Sequence, residues 1–598
     1  MNYELRTTNY STREGKFEAR VKILWIIVIC GLFILLGRIA WLQLIEGERY
    51  FRISQNSRLQ LLPLPSPRGL ILDRRGEKLA ENEILFSVGV VPSNVFNLEQ
   101  LISRLTQVLD VDKQRIREKL QEAPNSFRPV FLKENVDIPT ITYLLEREKE
   151  FPGVVIIAQP VRSYPYKMVA AHVLGHLGEV DQAELSMSSS FGIEPGDLVG
   201  KMGIEKVYNL YLQGEKGGRQ VEVDAYGRSL RIISEKDPLP GDNIYLTIDL
   251  RIQKIAEEEL GQRKGVVLIG DPETGELLAL VSHSGFDPNL FSRGISEDEW
   301  NRLKQDLSNP LENRAIRGEY SPASIFKIIL AAAALEENII KKEDTFFCPG
   351  SLLVGRRSFK CWEEEGHGRL DLEQAIIHSC DVFFYQLGLK VGVEKMIEYA
   401  ELFGLGEATG LNLIQEKYGL LPTSDWKLKN KGEIWYGGDT ANLSIGQGYI
   451  LVTPLQMLRV ISAVANGGNL VKPYLVKKIE NLEGEVIKDF SPPKKKKISL
   501  SSSTLSFLKK SLRGVVREGT GWRAENRIVN ISGKTGTVEL SEGERPHNWF
   551  IGYAPSDNPR LAIVVLVEHR EEDISIAAQI AGKIFSQTWT QINADGGD

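Results

Sequence analysis

From Ile23 to Ile45 the chain is almost wholly apolar, ILWIIVICGLFILLG followed by Arg38 and IAWLQLI. At about 1.5 Å per residue, such a run predicts a helix long enough to cross a bilayer. Arg38 can carry its charge to the interface along its own stem, and Trp25 and Trp41 suit interfacial positions. No small-x-small site follows Gly37, which argues against a cleaved signal peptide. The preceding tail sets Arg6, Arg13, Lys16, Arg20 and Lys22 against Glu4, Glu14 and Glu18. That bias favours a cytoplasmic N-terminus and an uncleaved anchor, with the remainder outside the cytoplasm.

Beyond the anchor the pattern alternates between periods of two and of 3.6. Strand-like runs such as ILFSVGVV (84–91) are interleaved with helical, charged stretches such as VDKQRIREKLQEA (111–123). PLPSPRG (63–69) opens a first soluble region, and DPLPGDN (237–243) has the composition of a hinge to a second. GVVLIGD and ELLALVS flank the turn Pro272-Glu273-Thr274-Gly275 and predict a hairpin. The expected division is a cytoplasmic tail (1–22), an anchor helix (23–45), a first soluble domain (46–236), a second (237–590) and a C-terminal tail (591–598). The stretch from Ser491 to Ser503, rich in proline, lysine and serine, reads as a solvated surface loop.

Composition narrows the classes. With 42% hydrophobic and 25% charged residues in 598, neither a disordered chain nor a polytopic membrane protein fits. A net charge of -6 gives no basic excess for nucleic acid, and four cysteines exclude a disulfide-dense scaffold.

The most informative stretch is Tyr320-Ser321-Pro322-Ala323-Ser324-Ile325-Phe326-Lys327, continuing IILAAAALEEN. Between Ile325 and Leu335 only Lys327 is polar, so the pattern predicts a helix buried nearly all round with a lysine inside it. Burial disfavours an ammonium, which is how a lysine becomes a base. Ser324, three residues earlier and in the first turn, lies on the same face, an arrangement that suits an activated nucleophile. S-x-x-K recurs at Ser424, Ser491 and Ser506, so the motif alone is weak. Ser379-Cys380-Asp381 and Lys534-Thr535-Gly536-Thr537 follow it in an order that is not. In that set Ser379 can pass a proton between Lys327 and a leaving amine, and Asp381 offers an acceptor to substrate backbone or to a lysine. Lys534 supplies a cation for a carboxylate and opposes charge on Lys327; Gly536 leaves room for an extended peptide; the amides of Ser324 and Thr537 are candidates for an oxyanion hole.

With these residues in hand, the sequence resembles the class B penicillin-binding proteins, more narrowly the elongation type, penicillin-binding protein 2. PRGLILDRRGEKLAEN (67–82), RSYPYKMVAAHVLGHLGEV (162–180) and GKMGIEKVYNLYLQGEKG (200–217) resemble the family's pedestal. DPETGELLALVSHSGFDPNLF, SIGQGYILVTPLQM, GKTGT and NWFIGYAP resemble its transpeptidase domain. The resemblance implies an α+β architecture: one transmembrane helix, an elongated α/β pedestal of the dimerisation type, and a serine β-lactamase-like domain with an antiparallel sheet flanked by helices. It implies a serine-type D,D-transpeptidase that crosslinks peptidoglycan during elongation. Ser324 would be acylated by the D-Ala-D-Ala end of a stem peptide, with release of D-Ala, or by a β-lactam. A SEDS-family glycosyltransferase and the elongation machinery are the implied partners, and an inner-membrane anchor with a periplasmic catalytic domain the implied location. Two positions depart from the family pattern: Ala323 stands where glycine is usual, and Asp381 where asparagine is more widespread.

Cys348, Cys361, His367 and Cys380 fall within 33 residues and match a closed structural zinc site by ligand type, although spacings of 13, 6 and 13 fit no short finger motif. A disulfide plus a free thiol, or three buried small side chains, are the other readings. A metal there would pin Ser379 and Asp381 from behind and, with four protein ligands, would have no open position for catalysis. The competing functions are a D,D-carboxypeptidase or β-lactamase-like hydrolase, against which the pedestal and the lack of an E-x-x-L-N motif argue, and a pedestal that chiefly activates a membrane glycosyltransferase.

Overall fold

In a computed structural model of the chain, residues 11–50, 59–92, 95, 97–121, 129–188, 193–223, 229–292, 294–413, 415–539, 544–569 and 575–594 are described. Residues 1–10 of the basic tail and 595–598 of the C-terminal tail lie outside them. Helix α1 runs Ser11–Ala40 and continues through one wider turn, Trp41–Ile45. Helix thus begins well before the apolar run, because Glu14, Lys16, Glu18, Ala19 and Arg20 are good helix formers and extend a helix already nucleated. Among the described residues, Phe17–Ile45 is the one helix long and apolar enough to cross a membrane.

Two compact units follow from the chain's contacts. The first holds residues 1–65, 85–159 and 216–238. Its sheet joins Leu59–Leu64, Gly217–Val223 and Ser229–Lys236, all antiparallel. A separate small core packs Leu101, Leu105, Ile116, Leu120, Ile141 and Leu144 from three amphipathic helices under Val88, Val90 and Leu132. The charged stretch read as helical is the helix Lys113–Gln121, and ILFSVGVV lies mostly within the strand Lys78–Val90.

The second unit holds 66–84, 160–215 and 239–598. Three sequence-distant pieces meet in it on one buried carboxylate. Glu205 Oε2 accepts from Arg68 Nη2 at 2.8 Å and its Oε1 from Arg162 Nε at 2.6 Å. With two guanidiniums beside it, Glu205 is held below the usual carboxylate range despite full burial.

The same unit carries a five-stranded antiparallel sheet. Its strands are β1 (Gly265–Gly270), β2 (Leu277–His283), β3 (Ser532–Val538), β4 (His547–Ala554) and β5 (Leu561–Val567), in the order β2-β1-β5-β4-β3. The predicted hairpin is β1–β2. Every residue of β1, β4 and β5 is buried, so both faces are covered. Val267, Ile269, Val565 and Val567 face the helix Leu250–Leu260 and a long C-terminal helix, Ile576–Ala594. Val266, Leu268, Val564 and Leu566 face the larger core. That core contains α2 (Lys327–Glu336) and α3 (Asp381–Val391), which bring the motif residues to β3 at the sheet edge. The lysine-rich stretch predicted as a loop contributes two paired but exposed residues, Lys496 and Lys497, opposite Asn469 and Leu470.

Candidate active site

The apolar run after Pro322 folds as expected, as a 3-10 turn Ala323–Ile325 running into α2, with Lys327 to Ala334 all buried. Ser324 sits half-buried in the turn. Ala323, just before it, adopts φ 51°, a left-handed conformation that explains why glycine would be at ease there. Its amide donates to the carbonyl of Gly446 at 2.9 Å, tying the turn to the SIGQG segment. Gly446 must itself be glycine, because a Cβ would lie 2.2 Å from the carbonyl oxygen of Ala323.

Lys327 is wholly buried, but it is not alone. Its Nζ donates to Asp381 Oδ1 at 2.7 Å and to the carbonyl of Ser379 at 2.8 Å, and lies 3.3 Å from Ser379 Oγ. The second oxygen of Asp381 accepts the amide of Trp362 at 3.1 Å. Asp381 therefore serves a lysine and a backbone amide of its own chain. It opens α3, whose cap is Cys380: the sulfur accepts the amide of Phe383 at 3.4 Å. Ser379 takes φ 54°, which turns the chain so that its hydroxyl and its carbonyl both face Lys327.

From the sheet edge, Lys534 Nζ donates to the same Ser379 Oγ at 2.9 Å. Burial, and then the neighbouring Lys327 charge, push the Lys534 ammonium well below its ordinary range, against the opposing pull of Asp381. The two lysines and Ser379, Asp381 thus form one connected set, with Ser324 on the turn that enters it. Gly536 matters for packing as well: a Cβ there would come within 3.2 Å of Ile325 and of the carbonyl of Pro322. Glycine therefore lets β3 lie against the turn that bears Ser324 without that crowding. Thr535 Oγ1 lies 2.7 Å from Thr520 Oγ1, and Thr537 pairs with Asn548 on β4. Thr520 and Trp362 escaped the sequence reading; neither belongs to a motif, and each is placed by a backbone crossing.

Cys348, Cys361, His367 and Cys380 converge, with one donor atom from each inside a 4.8 Å span. His367 Nδ1 is 3.5 Å from Cys361 Sγ and 3.9 Å from Cys348 Sγ, while its Nε2 is buried without a hydrogen-bond partner. All three are free thiols. The hydrogen bond from Cys380 pulls the Cys361 thiol well down, and Cys380 is pushed up in turn. Ligands about 2.3 Å from a tetrahedral zinc lie about 3.8 Å apart, so the cluster fits a metal by donor type and by size. It adjoins the Lys327–Ser379–Asp381 set twice: Cys380 lies between Ser379 and Asp381, and Cys361 precedes Trp362, whose amide holds Asp381.

The family model described as the penicillin binding protein transpeptidase domain matches residues 265–586, more than half of the chain, and that of the penicillin-binding protein dimerisation domain matches 63–246. The chain belongs to the class B penicillin-binding proteins. Within them it is of the penicillin-binding protein 2 type, a serine D,D-transpeptidase with a pedestal and an N-terminal apolar helix. The peptidoglycan D,D-transpeptidase MrdA of Acinetobacter baumannii is 33% identical, over 94% of this chain and 86% of that one. Among solved structures, a complex between penicillin-binding protein PBP2 and MreC from Helicobacter pylori matches with a TM-score of 0.76 at 30% identity, over 90% of this chain and 99% of that one. A structure titled for the coordination of polymerization and crosslinking by a peptidoglycan synthase complex matches with a TM-score of 0.73 at 31% identity, covering 96% and 98%.

Proposed function

We propose that this transpeptidase crosslinks stem peptides during wall elongation through an ester on Ser324. The observation that carries the assignment is the shared hydroxyl of Ser379, 3.3 Å from Lys327 Nζ and 2.9 Å from Lys534 Nζ, with Lys327 on the helix that the turn bearing Ser324 runs into. Once Lys327 has given up a proton, the two hydrogens its amine keeps are taken by Asp381 Oδ1 and the Ser379 carbonyl. Its lone pair is left for the Ser324 proton as Oγ attacks the carbonyl of the penultimate D-Ala. That proton then passes through Ser379 to the departing D-Ala amine, and the tetrahedral oxyanion is met by the amides of Ser324 and Thr537. The acceptor amine enters by the reverse path. Lys534, Thr535, Gly536 and Thr537 would hold the donor peptide along β3, its carboxylate beside the Lys534 side of the site. A β-lactam follows the first half and stops at the ester.

The same reading divides the chain into a pedestal (46–236) and a transpeptidase domain (237–590), flanked by a cytoplasmic tail (1–22), the anchor (23–45) and a C-terminal tail (591–598). It sets the anchor in the inner membrane with the catalytic domain in the periplasm. As the Helicobacter pylori protein is found with MreC, this chain is expected to work beside elongation proteins and a SEDS-family glycosyltransferase. A structural zinc on Cys348, Cys361, His367 and Cys380 would clamp the segments bearing Ser379, Asp381 and Trp362; it would take no part in proton or acyl transfer. A fluorescent penicillin tests the core of this proposal: it should label the full chain covalently and leave Ser324→Ala unlabelled, and stoichiometric labelling of that variant would overturn the assignment.

A further inference from the structure

Three side chains, Lys264, Arg314 and Tyr320, meet on one carboxylate, that of Glu568. Glu568 ends the run of β5, and its amide donates to the carbonyl of Lys264 at 2.8 Å, just before β1. Its Oε1 accepts from Arg314 Nε at 2.9 Å and from the hydroxyl of Tyr320 at 2.6 Å, while Lys264 Nζ lies 3.9 Å from Oε2. Arg314 alone balances the charge, and Lys264 adds a second cation nearby. The Tyr320 contact is therefore not needed to neutralise Glu568, and what distinguishes it is its place in the chain, four residues before Ser324.

The intervening residues leave little slack. Tyr320 exchanges both backbone hydrogen bonds with Val452, at 2.9 and 2.8 Å. Ser321 Oγ reaches the carbonyl of Ile450 at 3.4 Å, Pro322 has its φ fixed by its ring at -71°, and the Ala323 amide is on Gly446. The phenol ring is gripped as well. His547 and Trp549 meet it edge-on, with centroids 5.7 and 5.9 Å away, and it lies so close to Gly318 that a Cβ there would be 2.6 Å from the hydroxyl. Burial and then Glu568 push the Tyr320 hydroxyl up, so it remains a phenol and a donor.

From this geometry we infer that Tyr320, held by Glu568, is a positioning residue for Ser324: the contact sets where the nucleophile turn stands against Lys327. The inference rests on Ser324 being the nucleophile, and it adds a group that touches neither substrate nor the proton path. Tyr320→Phe removes the hydroxyl and keeps the ring, leaving the Glu568–Arg314 pair intact, so folding is little disturbed.

The test is the reaction of the full chain in detergent with a penicillin, resolved into the dissociation constant of the first complex and the rate of acylation, together with the labelled fraction at completion and the melting temperature. For Tyr320→Phe the acylation rate should fall about tenfold, with the dissociation constant within about twofold, complete labelling, and little change in melting temperature. Glu568→Gln should lower the rate at least as much, and adding Tyr320→Phe to it should lower it no further, because both act through one contact. A Tyr320→Phe rate within about twofold of wild type would overturn the inference. So would additive losses, or a loss that appears as incomplete labelling with a lowered melting temperature, since those mark a merely structural role. Labelling of Ser324→Ala would instead undo the nucleophile assignment itself, so the two failures are distinguishable.

Discussion

Lys534 Nζ and Ser379 Oγ are 2.9 Å apart although 155 residues separate them in the chain, and Lys327 Nζ lies 3.3 Å from the same oxygen. One hydroxyl therefore links an amine on the sheet edge to an amine in the core. Ser379→Ala should keep the fold and lower acylation by about 10²–10⁴-fold, the range of a lost proton-transfer partner. A stopped-flow penicillin assay showing a loss under threefold would mean that the proton does not travel through this oxygen.

Asp381 can be tested for charge and for shape separately. Asp381→Asn preserves one acceptor for Lys327 or the Trp362 amide and should retain acylation within about tenfold. Asp381→Ala leaves Lys327 buried without its partner, which costs about 3–5 kcal/mol and should appear as a lower denaturation midpoint. Equal stability of the two variants in urea would show that the 2.7 Å pair contributes nothing to folding.

Lys534 poses a trade between stability and activity. Its folded pKa lies well below the ordinary 10.5, so across the window from the folded value up to 10.5 the unfolded chain holds a proton that the folded chain does not. Stability from this group therefore rises with pH through that window, and at neutral pH the lysine is a burden on the fold. Lys534→Met should melt higher than wild type at pH 7, with the gap narrowing as pH approaches 10.5, and should not be acylated at a useful rate. Melting curves from pH 6 to 10 check this; a gap that widens with pH would refute it.

The Cys3His cluster makes a distinct forecast. The purified protein should carry about one zinc per chain, and a chelator should lower its melting temperature because metal binding is coupled to folding. Cys361→Ser should lose the metal and slow acylation, since the next residue's amide holds Asp381. Elemental analysis finding no zinc in fully active protein would discard the metal.

Ala323→Gly relieves a left-handed alanine, worth about 1–2 kcal/mol, against roughly 0.4–1 kcal/mol of added chain entropy. A gain of about 1–3 °C in melting temperature is expected, with acylation within about threefold of wild type. A clear loss of stability would show that the methyl's packing near Gly536 outweighs its strain.

Much of this site was legible because its groups sit in short motifs with a strong local context. A helix buried on all sides announces an odd lysine, and Ser379 and Lys534 then identify themselves by order. Burial of a lysine was nevertheless a weaker sign than it looked. Lys427, in the discounted motif at Ser424, is 2% exposed and pairs with Asp439 at 2.7 Å. What separates Lys327 from it is the Ser379 hydroxyl 3.3 Å from its Nζ, a proximity that only the fold shows. The partner of Lys327 was also left open by the pattern, which offered Asp381 equally to substrate and to a lysine. Trp362, Thr520 and Glu568 were illegible for a common reason: each acts through a crossing of distant backbone segments, which no residue type or spacing encodes. Ala323 was noticed by type, but its left-handed φ appears only in the structure.

The order of strands in the sheet bears on how the protein comes into being. β1 lies between β2 and β5, and Gly265 is paired with Val567, so the centre of the sheet stays open until nearly the whole chain has been made. Contacts this remote close late and slowly. Without β5, the β1–β2 hairpin and the β3–β4 pair have no common partner in the sheet. A chain ending before Leu561 would hold the serine, both lysines and the Cys3His cluster but lack the strand that joins the two halves of the sheet. Completion of the sheet beside the site thus waits on one of the last segments to be synthesised.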